Sequence, residues 1–251
     1  MDDEYGGQEF SRAPVKVRTS IQFLESLSPY INALLNFLYP PFCVLCKVRL
    51  FSAERMICED CWQSLPRLSS QEHTHHAGLA GCEASFDHIL SVWQYSERIQ
   101  QLIQEFKYSK TKILARPIGV AMAACVFEHP EYLTADLIVP VPLHKTRFRE
   151  RGFNQSSLLA EIVAQKLAIP VAANVLTRIR NTRQQAQLNA AEREENVQGA
   201  FALRNEEVLK DRTVILVDDV FTTGATLRLC AQCLKNGDPQ KILALTAART
   251  L

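Results

Sequence analysis

The most informative stretch of this chain is Val214-Ile-Leu-Val-Asp-Asp-Val-Phe-Thr-Thr-Gly-Ala-Thr226. Its four leading residues are all apolar, which is typical of a parallel strand that is buried on both faces. Asp218 and Asp219 follow these residues at the carboxyl end of the strand, where parallel α/β sheets bind their ligands. The stretch therefore predicts a strand, a ligand-binding turn and the start of a helix.

The turn after the two aspartates has the composition of a phosphate-binding loop. Gly224 lets the backbone approach a ligand closely, and the N–H groups at the start of the next helix can hold a phosphate. Three hydroxyl groups add donors, and the predicted loop consists of Thr222, Thr223, Gly224, Ala225 and Thr226. Two carboxylates would repel a bare phosphate, but they can accept hydrogen bonds from sugar hydroxyls. We therefore expect a sugar phosphate as the ligand, and the alternative is that these residues only cap the helix.

Strand-like and helix-like patterns alternate from residue 86 to the end of the chain. Strands are predicted over 88–95, 136–141, 213–218 and 241–247, and helices over 97–107, 112–127, 153–168 and 225–235. Such alternation is typical of βαβ units. It predicts an α/β fold in which a parallel sheet carries helices on both faces.

Four of the eight cysteines lie close together in two C-x2-C pairs, Cys43-Val-Leu-Cys46 and Cys58-Glu-Asp-Cys61. Two such turns can supply the four thiolates of a tetrahedral zinc site. A small module that cannot build a core is often stabilised by metal instead. We therefore expect a structural zinc ion on these four residues; a redox dithiol and buried free cysteines are the alternatives.

The other cysteines give weaker signals. Cys82 lacks a C-x2-C partner and follows a histidine-rich stretch, which we expect to be a solvated linker, with metal binding as the alternative. Cys230 and Cys233 are three residues apart in a predicted helix and therefore share one of its faces. Since a free cysteine behaves as a small apolar side chain, we expect this pair in the core.

Composition and charge exclude several classes of protein. The 251 residues include 47% hydrophobic residues, and 28 basic against 27 acidic side chains give a net charge of +1. These values are ordinary for a globular protein and exclude disordered, collagen-like and supercharged chains. Neither a signal peptide nor an apolar run of membrane-spanning length is predicted, so we expect a cytoplasmic protein without membrane insertion. We divide the chain into a disordered tail (1–19), a helix with the cysteine module (20–85) and the α/β domain (86–251).

The stretch Val214–Thr226 resembles, at every position, the phosphoribosyl pyrophosphate (PRPP) motif of type I phosphoribosyltransferases. The cysteine module and further segments are similar to the ComF family of competence-associated phosphoribosyltransferases, and the resemblance covers about residues 34–251. Those segments are Pro140-Val-Pro-Leu-His-Lys, Arg149-Glu-Arg-Gly-Phe-Asn-Gln155, Arg178-Ile-Arg-Asn-Thr-Arg-Gln-Gln-Ala-Gln-Leu188 and Arg193-Glu-Glu-Asn-Val-Gln-Gly-Ala-Phe201. Many relatives carry a further cysteine pair near Cys82, where this chain has a single cysteine.

The resemblance implies a type I phosphoribosyltransferase-like sheet with a small zinc-ribbon-like module at its N-terminal side. It implies that Asp218 and Asp219 hold the ribose hydroxyls and stabilise the cationic sugar, and that the loop Thr222–Thr226 holds the 5′-phosphate. Mg²⁺ would bridge ribose and pyrophosphate oxygens. Pyrophosphate would bind to the turn after the second predicted strand and to the flexible loop at 180–196. The candidate pyrophosphate-binding residues are Val141, Pro142, Lys145 and Arg183.

Two function classes follow from these features. The first is an Mg²⁺-dependent phosphoribosyltransferase with an unidentified, nucleobase-type acceptor, linked to DNA uptake. The second is a non-catalytic PRPP- or nucleotide-sensing adaptor that contacts single-stranded DNA, a competence helicase or other DNA-processing proteins through the basic segments 141–155 and 176–193, each of local charge +3. The hood, the part of the protein that would recognise the acceptor, would come from residues 86–135. Its candidate residues are Trp93, Tyr95, Lys107 and Tyr108. The preferred alternative is that the aromatic residues pack in the core.

Overall fold

The computed structural model describes residues 40–51, 56–69, 85–108, 112–180 and 199–251. The chain divides into the units Met1–Pro41 and Phe42–Leu251, and the description below concerns the second unit. Several sequence predictions lie outside the described residues, namely the tail 1–19, Cys82 with its neighbouring histidines, Arg183 and most of the flexible loop.

Six strands are present among the described residues: β1 (His88–Gln94), β2 (Leu137–Pro140), β3 (Leu176–Arg178), β4 (Phe201–Leu203), β5 (Thr213–Phe221) and β6 (Lys241–Arg249). Four of them form a parallel sheet in the order β1-β6-β5-β2, and β3 pairs with β4 in an antiparallel hairpin. The four strands of the parallel sheet are those predicted from the sequence. The predicted α/β parallel sheet is therefore confirmed.

Seven helices accompany these strands: α1 (Glu59–Gln63), α2 (Glu97–Tyr108), α3 (Ala115–Phe127), α4 (Pro130–Leu133), α5 (Lys145–Arg151), α6 (Gln155–Leu167) and α7 (Ala225–Lys235), with a short 3-10 helix at Glu206–Val208. Apolar residues of α2, α3 and α6 form one core with Ile215 and Val217. Residues of α7, including Cys230, form a second core with Val214 and Leu216. Successive residues of a strand point to opposite faces, so both faces of β5 are covered by helices, as predicted.

Helix α5 and the hairpin β3–β4 were not predicted. The first basic segment was expected to be a loop, but Lys145–Arg151 is helical. His144 caps the start of this helix, since its Nδ1 accepts the N–H of Thr146 at 3.2 Å. Gly152 ends the helix in a left-handed conformation (φ +81°). This helix could not be predicted from hydrophobic periodicity, because charged residues dominate it and none of its side chains is buried.

The cysteine segment packs directly against the free edge of β1. The N–H of Leu68 donates to the carbonyl of Val92 at 3.0 Å, and the N–H of Gln94 donates to the carbonyl of Pro66 at 2.9 Å. The ring of Trp62 meets that of Trp93 edge to face, with centroids 5.2 Å apart. This segment therefore shares a core with the sheet, and the division of the chain after residue 85 stays a prediction. No helix among the described residues has the length and apolarity needed to span a membrane.

Candidate functional site

The paired carboxylates, Asp218 and Asp219, are the sixth and seventh of the nine residues of β5, toward the carboxyl edge of the sheet. The hydroxyl of Ser156, in the first turn of α6, donates to Oδ1 of Asp218 at 2.8 Å. The N–H of Asp219 donates to the same oxygen at 2.9 Å. Lys107, near the end of α2, places its Nζ 2.7 Å from Oδ2 of Asp219. Three elements thus converge on the two carboxylates and fix their orientation.

Burial raises the pKa of Asp218 to about 6, and the negative charge of Asp219 acts in the same direction. The positive charge of Lys107 and the hydrogen bonds from Ser156 and the Asp219 N–H oppose this rise. At neutral pH the carboxylate is therefore ionised but poorly solvated. Such a group is a strong acceptor for the hydroxyl hydrogens of a ligand.

The predicted phosphate loop adjoins Asp218 in a single open pocket. The pocket is open to solvent, and its lining consists of Asp218 and residues 220–227. Gly224 caps α7 in a left-handed conformation (φ +73°), which turns the backbone into the helix. Thr250 holds the loop by two hydrogen bonds. Its N–H donates to the Phe221 carbonyl at 3.0 Å, and its hydroxyl donates to the Thr222 carbonyl at 2.9 Å. The structure thus brings the five loop residues and an aspartate together, as expected.

The predicted pyrophosphate turn begins directly after β2, beside the aspartate strand. The N–H of Val141 donates to the Val217 carbonyl at 2.9 Å, and Nδ2 of Asn154 donates to the Val141 carbonyl at 2.9 Å. Pro142 follows in the same turn, and Lys145 is the exposed first residue of α5. These positions share the carboxyl edge of the sheet with Asp218. Pyrophosphate binding by the turn stays a prediction.

Some residues of the site could not be found from the sequence. Ser156 carries no signal beyond its place near a predicted helix start, and Lys107 was noted only as part of a hood. The hood candidates themselves differ, because Trp93 is 1% exposed and belongs to the core, whereas Tyr108 is 56% exposed. The preferred expectation of core packing is therefore correct for Trp93 and wrong for Tyr108.

The four clustered cysteines form a site that fits zinc. All four Sγ atoms lie within 4.8 Å of one another, and those of Cys46 and Cys58 are 3.6 Å apart. Zn–S bonds of about 2.3 Å in a tetrahedron require sulfur atoms about 3.8 Å apart. The N–H of Cys58 donates to Sγ of Cys43 at 3.4 Å, and the N–H of Cys61 donates to Sγ of Cys58 at 3.5 Å. Such donors stabilise thiolates, as metal ligation requires.

Comparison with known proteins gives two family matches along this chain. Residues 154–250 match the phosphoribosyl transferase domain, and residues 34–75 match the double zinc ribbon domain. The first match contains the aspartates and the phosphate loop, and the second contains all four clustered cysteines. Together with the sulfur geometry, the second match supports structural zinc and the predicted zinc-ribbon-like module.

Curated relatives resemble almost the entire chain. Competence protein F of Haemophilus influenzae is 30% identical over 223 residues, which are 82% of this chain and 96% of that protein. The DNA utilization protein YhgH of Escherichia coli is 29% identical and covers 84% of this chain and 98% of its own length. Competence protein ComFC of Bacillus subtilis is 26% identical over 80% of this chain and 87% of that protein. The similarity thus extends across both the cysteine module and the sheet.

Proposed function

Since this chain belongs to the competence protein F family, we propose that it is an Mg²⁺-dependent phosphoribosyltransferase that acts on PRPP and serves DNA uptake. The observation that carries the proposal is the common pocket of Asp218 and the loop Thr222–Thr226. A carboxylate beside a phosphate loop suits a ligand that carries sugar hydroxyls and a phosphate at once. The names of the relatives, two competence proteins and a DNA utilization protein, support the link to DNA uptake.

In this proposal, Asp218 and Asp219 accept hydrogen bonds from the ribose hydroxyls. Lys107 holds Asp219 in place, and Ser156 does the same for Asp218. The backbone N–H groups and hydroxyls around Gly224 bind the 5′-phosphate at the start of α7, where the helix dipole favours negative charge. The loop thereby positions the sugar and takes no part in bond making.

The proposed reaction takes place at the anomeric carbon C1 of the ribose. The C1–O bond to pyrophosphate breaks, and its electron pair leaves with the pyrophosphate. A ring nitrogen of the acceptor supplies the pair for the new bond to C1. Positive charge develops on the ribose in between, and the carboxylates of Asp218 and Asp219 stabilise it. Mg²⁺ would neutralise charge on the leaving pyrophosphate, and oxygen donors such as these carboxylates are the ligands that it prefers.

Calorimetry with PRPP and Mg²⁺ tests the site. We expect binding to the native protein and at least a tenfold loss of affinity in Asp218→Ala and Asp219→Ala. Release of pyrophosphate with a panel of nucleobase-type acceptors then tests catalysis. Unchanged PRPP affinity in both variants would show that the site is assigned wrongly.

Helix α5 favours a second function, that of a PRPP-binding adaptor for single-stranded DNA. It carries four basic residues together with Phe148, whose side chain is 49% exposed, and these residues are Lys145, Arg147, Arg149 and Arg151. Basic side chains with an exposed aromatic ring are typical of single-strand binding. PRPP binding without pyrophosphate release for any acceptor, combined with salt-sensitive binding of single-stranded DNA, would favour the adaptor over the enzyme.

A further inference from the structure

Tyr108 and Arg151 contact each other next to the residues that hold the two aspartates, and we propose that this pair of side chains, the acceptor wall, binds an aromatic ring that carries a negative charge. The inference rests on the proposed transferase function and names the class of its acceptor. It concerns a surface that lies outside both the phosphate loop and the pyrophosphate turn.

The two side chains of the wall contact each other closely. The guanidinium carbon of Arg151 lies 5.1 Å from the centroid of the Tyr108 ring. Nη2 of Arg151 donates to the Tyr108 hydroxyl at 3.3 Å. Tyr108 is nonetheless 56% exposed, so its ring is accessible to a ligand. An exposed ring that already has a partner loses little entropy when a planar ligand stacks on it.

Each side chain of the acceptor wall is linked to one of the two aspartates through neighbouring residues. On one side, Tyr108 directly follows Lys107, whose Nζ pairs with Asp219 at 2.7 Å. On the other side, Nη1 of Arg151 donates to Oε1 of Gln155 at 3.0 Å. Gln155 is followed by Ser156, which donates to Asp218. The wall is therefore connected through Lys107 and Gln155 to the groups that hold both aspartates, which bind the ribose in the proposed site.

The wall carries positive charge and unused donors. The ion pairs found among the described residues join Lys107 to Asp219 and Arg147 to Glu150, so neither includes Arg151. Nε of Arg151 and Nε2 of Gln155 are buried without a hydrogen-bond partner. A guanidinium that forms no ion pair with a carboxylate of the described residues attracts a carboxylate or a comparable anionic group of a ligand.

Orotate and uracil provide the decisive pair of probes, since they share one ring and differ by a carboxylate. Each is titrated calorimetrically in the presence of ribose 5-phosphate, which fills the phosphate loop but offers no leaving group. We expect orotate to bind at least tenfold more tightly than uracil. Tyr108→Ala should weaken orotate binding at least tenfold, Tyr108→Phe should retain most of it, and Arg151→Gln should remove the preference for orotate.

Phe127→Ala is the matched control, because Phe127 is also 56% exposed but lies at the end of α3; it should bind orotate like the native protein. Equal affinities for orotate and uracil, no binding of either, or native orotate affinity in Tyr108→Ala would each overturn the inference. Binding of ribose 5-phosphate alone reports on the proposed function separately. It should be unchanged in Tyr108→Ala, so loss of the acceptor wall and failure of the sugar phosphate site give different results.

Discussion

The charge of Asp218 opposes the stability of the fold at neutral pH. Its pKa is raised from 3.8 to about 6, first by burial and then by the charge of Asp219. The folded protein therefore binds more protons at this position than the unfolded chain between about pH 4 and pH 6. By linkage, the contribution of Asp218 to the free energy of unfolding falls as the pH rises through this window. At neutral pH the ionised carboxylate therefore destabilises the fold, as expected of a group kept for the proposed ligand binding.

Asp218→Asn should accordingly stabilise the protein at neutral pH. The amide oxygen can still accept the hydrogen bonds from Ser156 and from the Asp219 N–H, while the buried charge is removed. We expect the free energy of unfolding to rise by about 1–2 kcal/mol at pH 7 and by almost nothing near pH 4. Urea unfolding across this range measures the effect. Glu161→Gln, at an exposed position of α6, is the control, and equal pH profiles for both variants would contradict the prediction.

Lys107 should stabilise the fold mainly through Asp219. The side chains of the pair are only 24% and 10% exposed, so each charge depends on the other for compensation. We expect Lys107→Met to lower the free energy of unfolding by about 2 kcal/mol, because it leaves a buried carboxylate unpaired. Adding Asp219→Asn should recover much of this loss. A double-mutant cycle by urea unfolding measures the coupling, and strictly additive effects would show that the pair does not interact.

The turn into α7 depends on backbone conformation as much as on side chains. Gly224 occupies the left-handed region with φ +73°, at the point where the strand β5 gives way to the helix. Gly152 has a similar φ of +81° at the end of α5, and a Cβ atom built there would meet nothing within 4 Å. The two glycines therefore share the same backbone strain on substitution, but only Gly224 lies in the phosphate loop.

Replacing each of these glycines by alanine separates strain from ligand binding. Both Gly224→Ala and Gly152→Ala should lower the free energy of unfolding by about 1 kcal/mol, because a Cβ atom disfavours the left-handed conformation. Only Gly224→Ala should also weaken ribose 5-phosphate binding, by at least fivefold in calorimetry. The same affinity in the two variants would place the phosphate elsewhere.

The cysteine module and the sheet share one buried cluster among the described residues. Cys43, Cys61 and Leu65 belong to the same buried cluster as the residues of β1 and α2. In addition, Nε2 of Gln101 on α2 donates to the Val44 carbonyl at 2.8 Å. Helix α2 also carries Lys107, which pairs with Asp219. The cysteine module therefore supports the helix that holds one of the two aspartates.

Loss of zinc should therefore destabilise the entire domain and leave no independently folded sheet. We expect Cys61→Ser, or treatment with a chelator, to lower the melting temperature by about 10 °C or more within one transition. Cys233→Ala is the control, because this half-buried cysteine lies on α7, outside the cluster of four. Calorimetric unfolding checks the result, and two separate transitions would contradict a shared core.

Patterns that lie within one segment were predictable from the sequence. The apolar run at 214–217 specifies a strand that is buried on both faces, because a polar residue there would lose its hydration. The order of aspartates, threonines and Gly224 predicts the turn from β5 into α7, which the structure contains, and the binding of a ligand by that turn stays a prediction. The cysteine spacing specifies a metal site, because two C-x2-C turns can supply its four thiolates.

Contacts between residues that are distant in the sequence could not be predicted from it and are seen only in the structure. Ser156 and Asp218 are 62 positions apart, and no periodicity relates Lys107 to Asp219 or Tyr108 to Arg151. Helix α5 was missed because it buries no side chain, so its pattern follows charge and not hydrophobicity. Local composition determines which strands, turns and metal ligands form, because those choices depend on neighbouring residues. Packing of helices on the sheet determines which side chains surround the carboxylates, because their positions depend on how α2, α5 and α6 cross its carboxyl edge.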